Sequence, residues 1–297
     1  MHCHSIKSDG DSSPEVVFNY YKKAGYDFIC LTDHDVYAGQ DAVPNPGSST
    51  LFYLPGVEES QSIHINRIGS AVGLDSTDPQ DTIDDIVSKG GVACINHPTL
   101  TGLSSAYLLA LTGYSLIEIR SALVEYYCHI DPSLDEVLWD ELLAAGRVVW
   151  GVAVDDMHVV ERDLGFTAVM VFADTPDEIL NSLKNGNFYA MESNGAIITR
   201  LNLIGNHLFI EVSDPSDFEF IGAAGILQQN IGVKKASYTI SGSEGYVRVR
   251  IKNAASGDYT WTQPIFTDLR AIIPAKSLSE CGRLFVHAVD EIGSAVP

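Results

Sequence analysis

Up to about residue 195 the chain alternates short apolar runs with capped amphipathic segments, and beyond it the period changes. Ser13-Pro14-Glu15 supplies an N-cap, a first-turn proline and an acid at the positive end of the helix dipole, so a helix is predicted from there to Gly25. Phe28-Ile29-Cys30-Leu31 follows as a buried strand. Asp78-Pro79 opens a helix that ends at Gly90-Gly91, and Val92-Ala93-Cys94-Ile95 is the next strand. Leu116-Ile117-Glu118-Ile119 is another. A helix over about 133–145 stops at Gly146, ahead of the strand 148–154, and Thr175-Pro176-Asp177-Glu178 caps a last helix ending near Gly186. Alternation of this kind predicts a mostly parallel α/β sheet or barrel.

Past residue 195, segments such as Ile198–Leu203 and Tyr246–Ile251 alternate apolar and polar positions, the signature of half-buried strands. Turn clusters at Ser241-Gly242-Ser243 and Ala255–Asp258 separate them, and no helix pattern appears. Two units are therefore expected: an α/β unit over 1–195 and a small β-sandwich-like domain over 196–297.

Composition narrows the function. A hydrophobic share of 45% with 19% charged residues fits a folded globular chain, and the net charge of −21 excludes a basic nucleic-acid surface. An acidic chain suits an anionic substrate only where bound cations offset the local field. The five cysteines (Cys3, Cys30, Cys94, Cys128 and Cys281) form no CxxC pair, which argues against a disulfide framework or a zinc ribbon and fits a reducing, cytoplasmic setting. No run has the length of a membrane span. Met1 abuts chemically loaded residues, so either the chain starts at its site or an upstream segment precedes it. Oligomeric state is not legible.

The candidate chemistry lies in where histidines and carboxylates fall. His2-Cys3-His4 puts two imidazoles on one face of an extended segment. His34 follows the strand ending at Leu31, within Asp33-His34-Asp35, and His97 follows the strand 92–95, within Asn96-His97-Pro98. Glu58 comes after the apolar run 51–57, His64 six residues later, and Asp156-Met157-His158 closes the strand 148–154. Potential ligands thus sit just past the ends of successive strands, the rim where α/β folds place their sites. One HxH pair alone is as readily structural; the joint placement is what points to metal. His129, His207 and His287 lack such placement and read as structural.

The runs His2–Ser5 with Ser8-Asp9-Gly10, Leu31–Asp35, Asn96–Pro98 and Asp156–His158 resemble, in order, the four motifs of the PHP (polymerase and histidinol phosphatase) metallohydrolases. Glu58 in Pro55–Glu58 and His64 in His64–Gly69 are similar to two further ligand positions of its stand-alone phosphoesterases. The resemblance implies a distorted (β/α)7 barrel and a trinuclear site of two to three divalent transition metals, zinc, manganese or iron. It implies His2, His4 and Asp156 on the first ion and Glu58 bridging to a second that His64 and His97 complete. Asp9, His34 and His158 would hold a third. Asp33, Asp35 and Asp155 could orient imidazoles, with Asp155 an alternative ligand to Asp156.

The implied activity is hydrolysis of a small phosphorylated metabolite or nucleotide by a metal-bridging hydroxide, with Glu58 and Asp156 in the catalytic set. A cation facing the phosphate is expected, with Arg67, Arg120 and Lys7 as candidates. No GxSxG elbow or phosphate-binding P-loop offers rival chemistry. The alternatives are a carboxylester or carbamate hydrolase on the same metals, or a non-catalytic or proofreading PHP module.

Overall fold

The computed structural model describes residues 1–39, 51–71, 73 and 76–267. Cys281, His287 and the end of the β-rich tail lie outside the described residues.

The first helix, α1 (Pro14–Lys23), is capped by the Ser13 side chain and buries Val17, Phe18 and Tyr21. Two short strands, β1 (Phe28–Cys30) and β2 (Phe52–Leu54), pair in parallel. A five-stranded sheet follows the order β3 (Gly56–Glu59), β4 (Ile65–Ile68), β5 (Val92–Ile95), β6 (Leu116–Ser121) and β7 (Trp150–Val154). Between β4 and β5 runs α2 (Pro79–Ser88), which buries Ile83 and Ile86. Each such side chain contributes about 1.5–3 kcal/mol by leaving water. The short helix α3 (Ser105–Ala110) precedes β6, while α4 (Ala122–Tyr126) and α5 (Ser133–Ala144) separate β6 from β7.

Within the five-stranded sheet the parallel expectation holds only for β5–β6–β7. The segment carrying Glu58 and His64 is an antiparallel hairpin, because β3 pairs antiparallel with β4 and β4 with β5. Five residues between Glu59 and Ile65 leave no room for a crossover helix.

A second sheet follows the path β10-β11-β13-β14-β9-β8. Its members are β8 (Thr167–Val171), β9 (Phe188–Glu192), β10 (Ile198–Ile204), β11 (His207–Gly222), β13 (Tyr246–Asn253) and β14 (Tyr259–Thr262). The long strand β12 (Gly225–Thr239) forms a hairpin with β11. Two elements that precede residue 195, β8 and β9, therefore belong to the same ladder as the strands after it. One hydrophobic core likewise joins Ile83, Ile95, Trp139 and Val149 to Tyr246 and Trp261. A buried guanidinium adds to that junction, since Arg248 pairs with Glu136 and Asp140 of α5. No described helix is long and apolar enough to cross a membrane.

Candidate metal centre

Main-chain bonds bring the motif-bearing segments side by side. His4 N donates to Met157 O at 2.8 Å and Thr32 N to Cys3 O at 2.9 Å. Glu58 N donates to Asp33 O at 3.2 Å, and Asp35 N returns a bond to Glu58 O at 2.9 Å. Extended geometry at residues 2–4 sends alternate side chains to opposite sides. Cys3 accordingly packs with Val17, Phe18 and Met157, while His2 and His4 face the carboxylates.

Glu58 is at the centre. Its Oε2 lies 3.1 Å from His2 Nε2, 3.3 Å from His4 Nε2 and 3.1 Å from His34 Nδ1. Its Oε1 lies 2.9 Å from His64 Nδ1 and 3.5 Å from His97 Nε2, and it also accepts from Asn96 Nδ2 at 2.8 Å. Asp156 Oδ1 lies 3.1 Å from His2 Nε2 and 3.3 Å from His4 Nε2. His97 and Asp156 both have positive φ, 25° and 54°, conformations uncommon for non-glycine residues and typical of functional sites.

On the other side of His4, Asp9 Oδ1 lies 3.5 Å from His4 Nδ1, and Asp9 Oδ2 lies 3.6 Å from His34 Nε2 and 3.3 Å from His158 Nε2. The loop carrying Asp9 folds back so closely that a Cβ on Gly10 would meet His4 O at 2.5 Å. Glycine is required there by that approach. Asp33 holds the same loop, accepting from Ser5 N at 2.7 Å and from the Ser5 and Ser8 hydroxyls.

The donor set fits divalent metal. Ligand atoms about 2.1 Å from one tetrahedral ion are about 3.4 Å from each other, close to the separations around Glu58, Asp156 and Asp9. The buried nitrogens His4 Nε2 and His34 Nδ1 have no hydrogen-bond partner although carboxylate oxygens stand this near. They are aimed at shared space rather than at those oxygens. Four overlapping groups can each surround a cation: His4 with Asp9, His34 and His158; His2 with His97 and Asp156; His2 with His4 and Glu58; and His34 with Glu58 and His64.

Electrostatics agree. Burial alone would lower the His2 imidazole, but the carboxylates of Asp156, Glu58 and Glu118 raise it well above its ordinary value. Burial also opposes protonation of His4, yet Asp156 and Glu58 lift it to about 9. Burial would raise Glu58 and Asp156, but His2 above all holds both well below the usual carboxylate range. His34 is lowered, chiefly by burial and further by His4, against the pull of Glu58. The centre thus keeps its carboxylates ionised and attracts positive charge.

The structure brings together His2, His4, Asp9, His34, Glu58, His64, His97, Asp156 and His158. The two arginines are engaged in other contacts. The buried Arg67 guanidinium bonds Glu59 at 2.6 Å and Asp85 at 2.7 Å. Arg120 pairs with Glu125 at 2.6 Å and with Glu192, beside a cavity of about 200 Å³ that Tyr126 and Asp258 also line. Lys7 is exposed. None of the three flanking acids bonds an imidazole. Asp155 accepts from the amides of Gly165, Phe166 and Thr167, and Asp35 accepts from Ser60, so both acids are consumed in holding loops. Asp33 acts on His4 only through Ser8, whose Oγ lies 3.4 Å from His4 Nδ1.

Two contributors went unassigned in the sequence. Glu118, inside an apolar strand, lies 2.7 Å from His2 Nδ1, and Asn96 bonds Glu58. An acid interrupting a buried strand was the available signal for Glu118.

Neither a family model nor a curated protein matches the chain. Solved structures do. A two-domain protein from Bacteroides vulgatus containing a predicted PHP-like metal-dependent phosphoesterase is 18% identical, with a TM-score of 0.51 over 85% of this chain and 89% of that one. An amidohydrolase from Chromobacterium violaceum with bound sulfate and no metal is also 18% identical, with a TM-score of 0.41 over 55% of this chain and 88% of that one. A candidate metal-dependent phosphoesterase from Bifidobacterium adolescentis is 18% identical, with a TM-score of 0.40 over 53% and 86%. The mixed α/β fold that carries this cluster is PHP-like, and the resemblance to PHP phosphoesterases carried by the four motifs holds at the level of the fold.

Proposed function

We propose that this chain is a metal-dependent phosphoesterase acting on a small phosphorylated metabolite or nucleotide. The observation that carries the reading is the Glu58 carboxylate, one oxygen facing His2, His4 and His34 and the other facing His64 and His97. Such a bridge suits ions held side by side, and imidazole with carboxylate suits zinc, manganese or iron. His2, His4, Asp156 and Glu58 would hold one ion, Glu58 with His64 and His97 a second, and Asp9, His34 and His158 a third. Bound ions would offset the charge of the phosphoryl oxygens and acidify water enough for attack at neutral pH.

The chain's own part is placement. Ionised Glu58 and Asp156 supply fixed negative charge in a buried setting, and the loop held by Asp33 carries Asp9 to the exposed side, where substrate would enter. The parallel main-chain bridges through Cys3 and His34 support a distorted (β/α)7 barrel.

A second reading has a specific observation behind it. Arg67 and Arg120 are consumed by acids, which leaves the exposed Lys7 as the remaining candidate to face a phosphate and suits a less charged carboxylester or carbamate. A panel of phosphate monoesters, diesters and carboxylate esters, assayed after reconstitution with zinc, manganese or iron, separates the two. Chelator-sensitive phosphate release that disappears in the His4→Ala, Asp156→Ala double variant is expected. Ester cleavage with no phosphate release from any substrate would overturn the phosphoesterase reading.

A further inference from the structure

Glu118 lies in β6 between Ile117 and Ile119, and its side chain is wholly buried. A carboxylate in such a strand is costly to desolvate unless its oxygens find partners. Both do. Oε1 lies 2.7 Å from His2 Nδ1, and Oε2 accepts from the main-chain N–H of His97 at 2.8 Å. The two partners are remote in sequence, one in the first extended segment and one after β5, yet they share a candidate ligand group with Asp156.

From this geometry we infer that Glu118 is a positioning residue of the metal centre, fixing the His2 tautomer and the main chain that aims His97. The inference rests on reading the cluster as a metal centre. An imidazole can offer either nitrogen to a metal, and a carboxylate on one of them holds the proton there. With Nδ1–H donated to Glu118, His2 Nε2 is left facing the space bounded by Glu58 Oε2 and Asp156 Oδ1, each 3.1 Å away. Glu58 and Asp156 face the space among the imidazoles, whereas Glu118 stands behind the His2 ring.

The second bond does different work. His97 has a φ of 25° and precedes Pro98. A residue so placed relaxes readily unless its neighbours prevent it. Any rotation that moves the His97 N–H strips a buried carboxylate oxygen of its donor. One side chain therefore couples the aim of two ligands.

Glu118→Gln keeps the size and removes the charge, and its single acceptor oxygen serves only one of the two donors. Three readouts apply to the full chain: manganese and zinc titration against a competing chelator, proton–nitrogen correlation spectra of the imidazoles, and thermal melting in excess chelator. We expect 10- to 100-fold weaker metal binding, a mixed tautomer at His2, and partial recovery of both in Glu118→Asp. Unchanged affinity or an unchanged His2 tautomer in Glu118→Gln overturns the inference, as does loss of the fold in both variants. Wild-type protein that binds no metal removes the metal-centre reading itself. Wild type and Glu118→Gln binding metal equally well removes the role of Glu118 alone.

Discussion

Asp9 and Asp156 approach the same imidazole, His4, from opposite environments. Asp156 is 3.3 Å from His4 Nε2 with 3% of its side chain exposed, whereas Asp9 is 3.5 Å from Nδ1 with 53% exposed. A carboxylate in water holds an ion less firmly than one shielded from competing solvent. Metal held by Asp9, His34 and His158 should therefore leave first. Stepwise chelation followed by elemental analysis should show one fraction lost early, and Asp9→Ala should lower the content by about one equivalent while the remainder stays bound. Simultaneous loss of all metal at one chelator concentration would contradict this ordering.

The raised affinity of His4 for protons sets a pH dependence. Burial opposes its charge, but Asp156 and Glu58 carry its folded pKa to about 9, above the value of 6.5 for a free imidazole. A group raised on folding contributes stability that is complete below about 6.5 and lost as pH rises through about 9. The metal-free protein should then melt at falling temperature over that range. Metal competes with the same proton, so its apparent affinity should climb across the interval. Melting curves from pH 6 to 10, with chelator and with saturating manganese, test both halves. A metal-free melting temperature that is flat or rising from 6.5 to 9 would count against the assignment.

Asp135 runs the other way. It is buried in the first turn of α5, where it accepts from the Thr99 amide at 2.8 Å and from the Thr99 hydroxyl. Burial outweighs those bonds and pushes its carboxyl up to about 6. An acid raised on folding favours the folded state while protonated, and that contribution disappears as pH rises through 6. Asp135→Asn keeps an acceptor for the Thr99 amide and removes the buried charge. It should stabilise the protein by about 1–3 kcal/mol at pH 8, and the gain should vanish near pH 4. Chemical denaturation of both forms across that range reads it, and a gain independent of pH would exclude the charge as its source.

Much of the cluster was legible because its imidazoles and carboxylates occupy strand ends, where apolar runs stop and chemistry-bearing residues begin. His34, His97 and His158 were placed by that rule, α1 and α2 by their caps and closing glycines, and the end of α5 by Gly146. The β3–β4 hairpin was missed because its strands are four residues each, Gly56-Val57-Glu58-Glu59 and Ile65-Asn66-Arg67-Ile68, too short and too mixed in polarity to mark their pairing direction. The membership of β8 and β9 in the tail's sheet depends on partners such as Trp261 for Ala190, remote in sequence. Arg67 lies on β4 three residues after His64, so spacing suggested shared chemistry. What decides its role is Asp85 on α2, which no local pattern connects to it.

That contact leads to a prediction about Arg67. Its guanidinium is wholly buried, bonding Glu59, itself 9% exposed, and Asp85, 16% exposed. Removing one member of a buried ion pair leaves its partners charged and unpaired, typically at about 3–5 kcal/mol. Arg67→Ala should therefore lower the melting temperature by roughly 10 °C. It should leave the KM for a phosphoester unchanged in whatever fraction stays folded. If Arg67 instead contacted phosphate, KM would rise sharply with little change in melting. Arg67→Lys sharpens the distinction, since a lysine preserves charge for a phosphate but cannot bond Glu59 and Asp85 in the planar geometry of the guanidinium. A stable Arg67→Lys protein with a raised KM would return this arginine to the substrate.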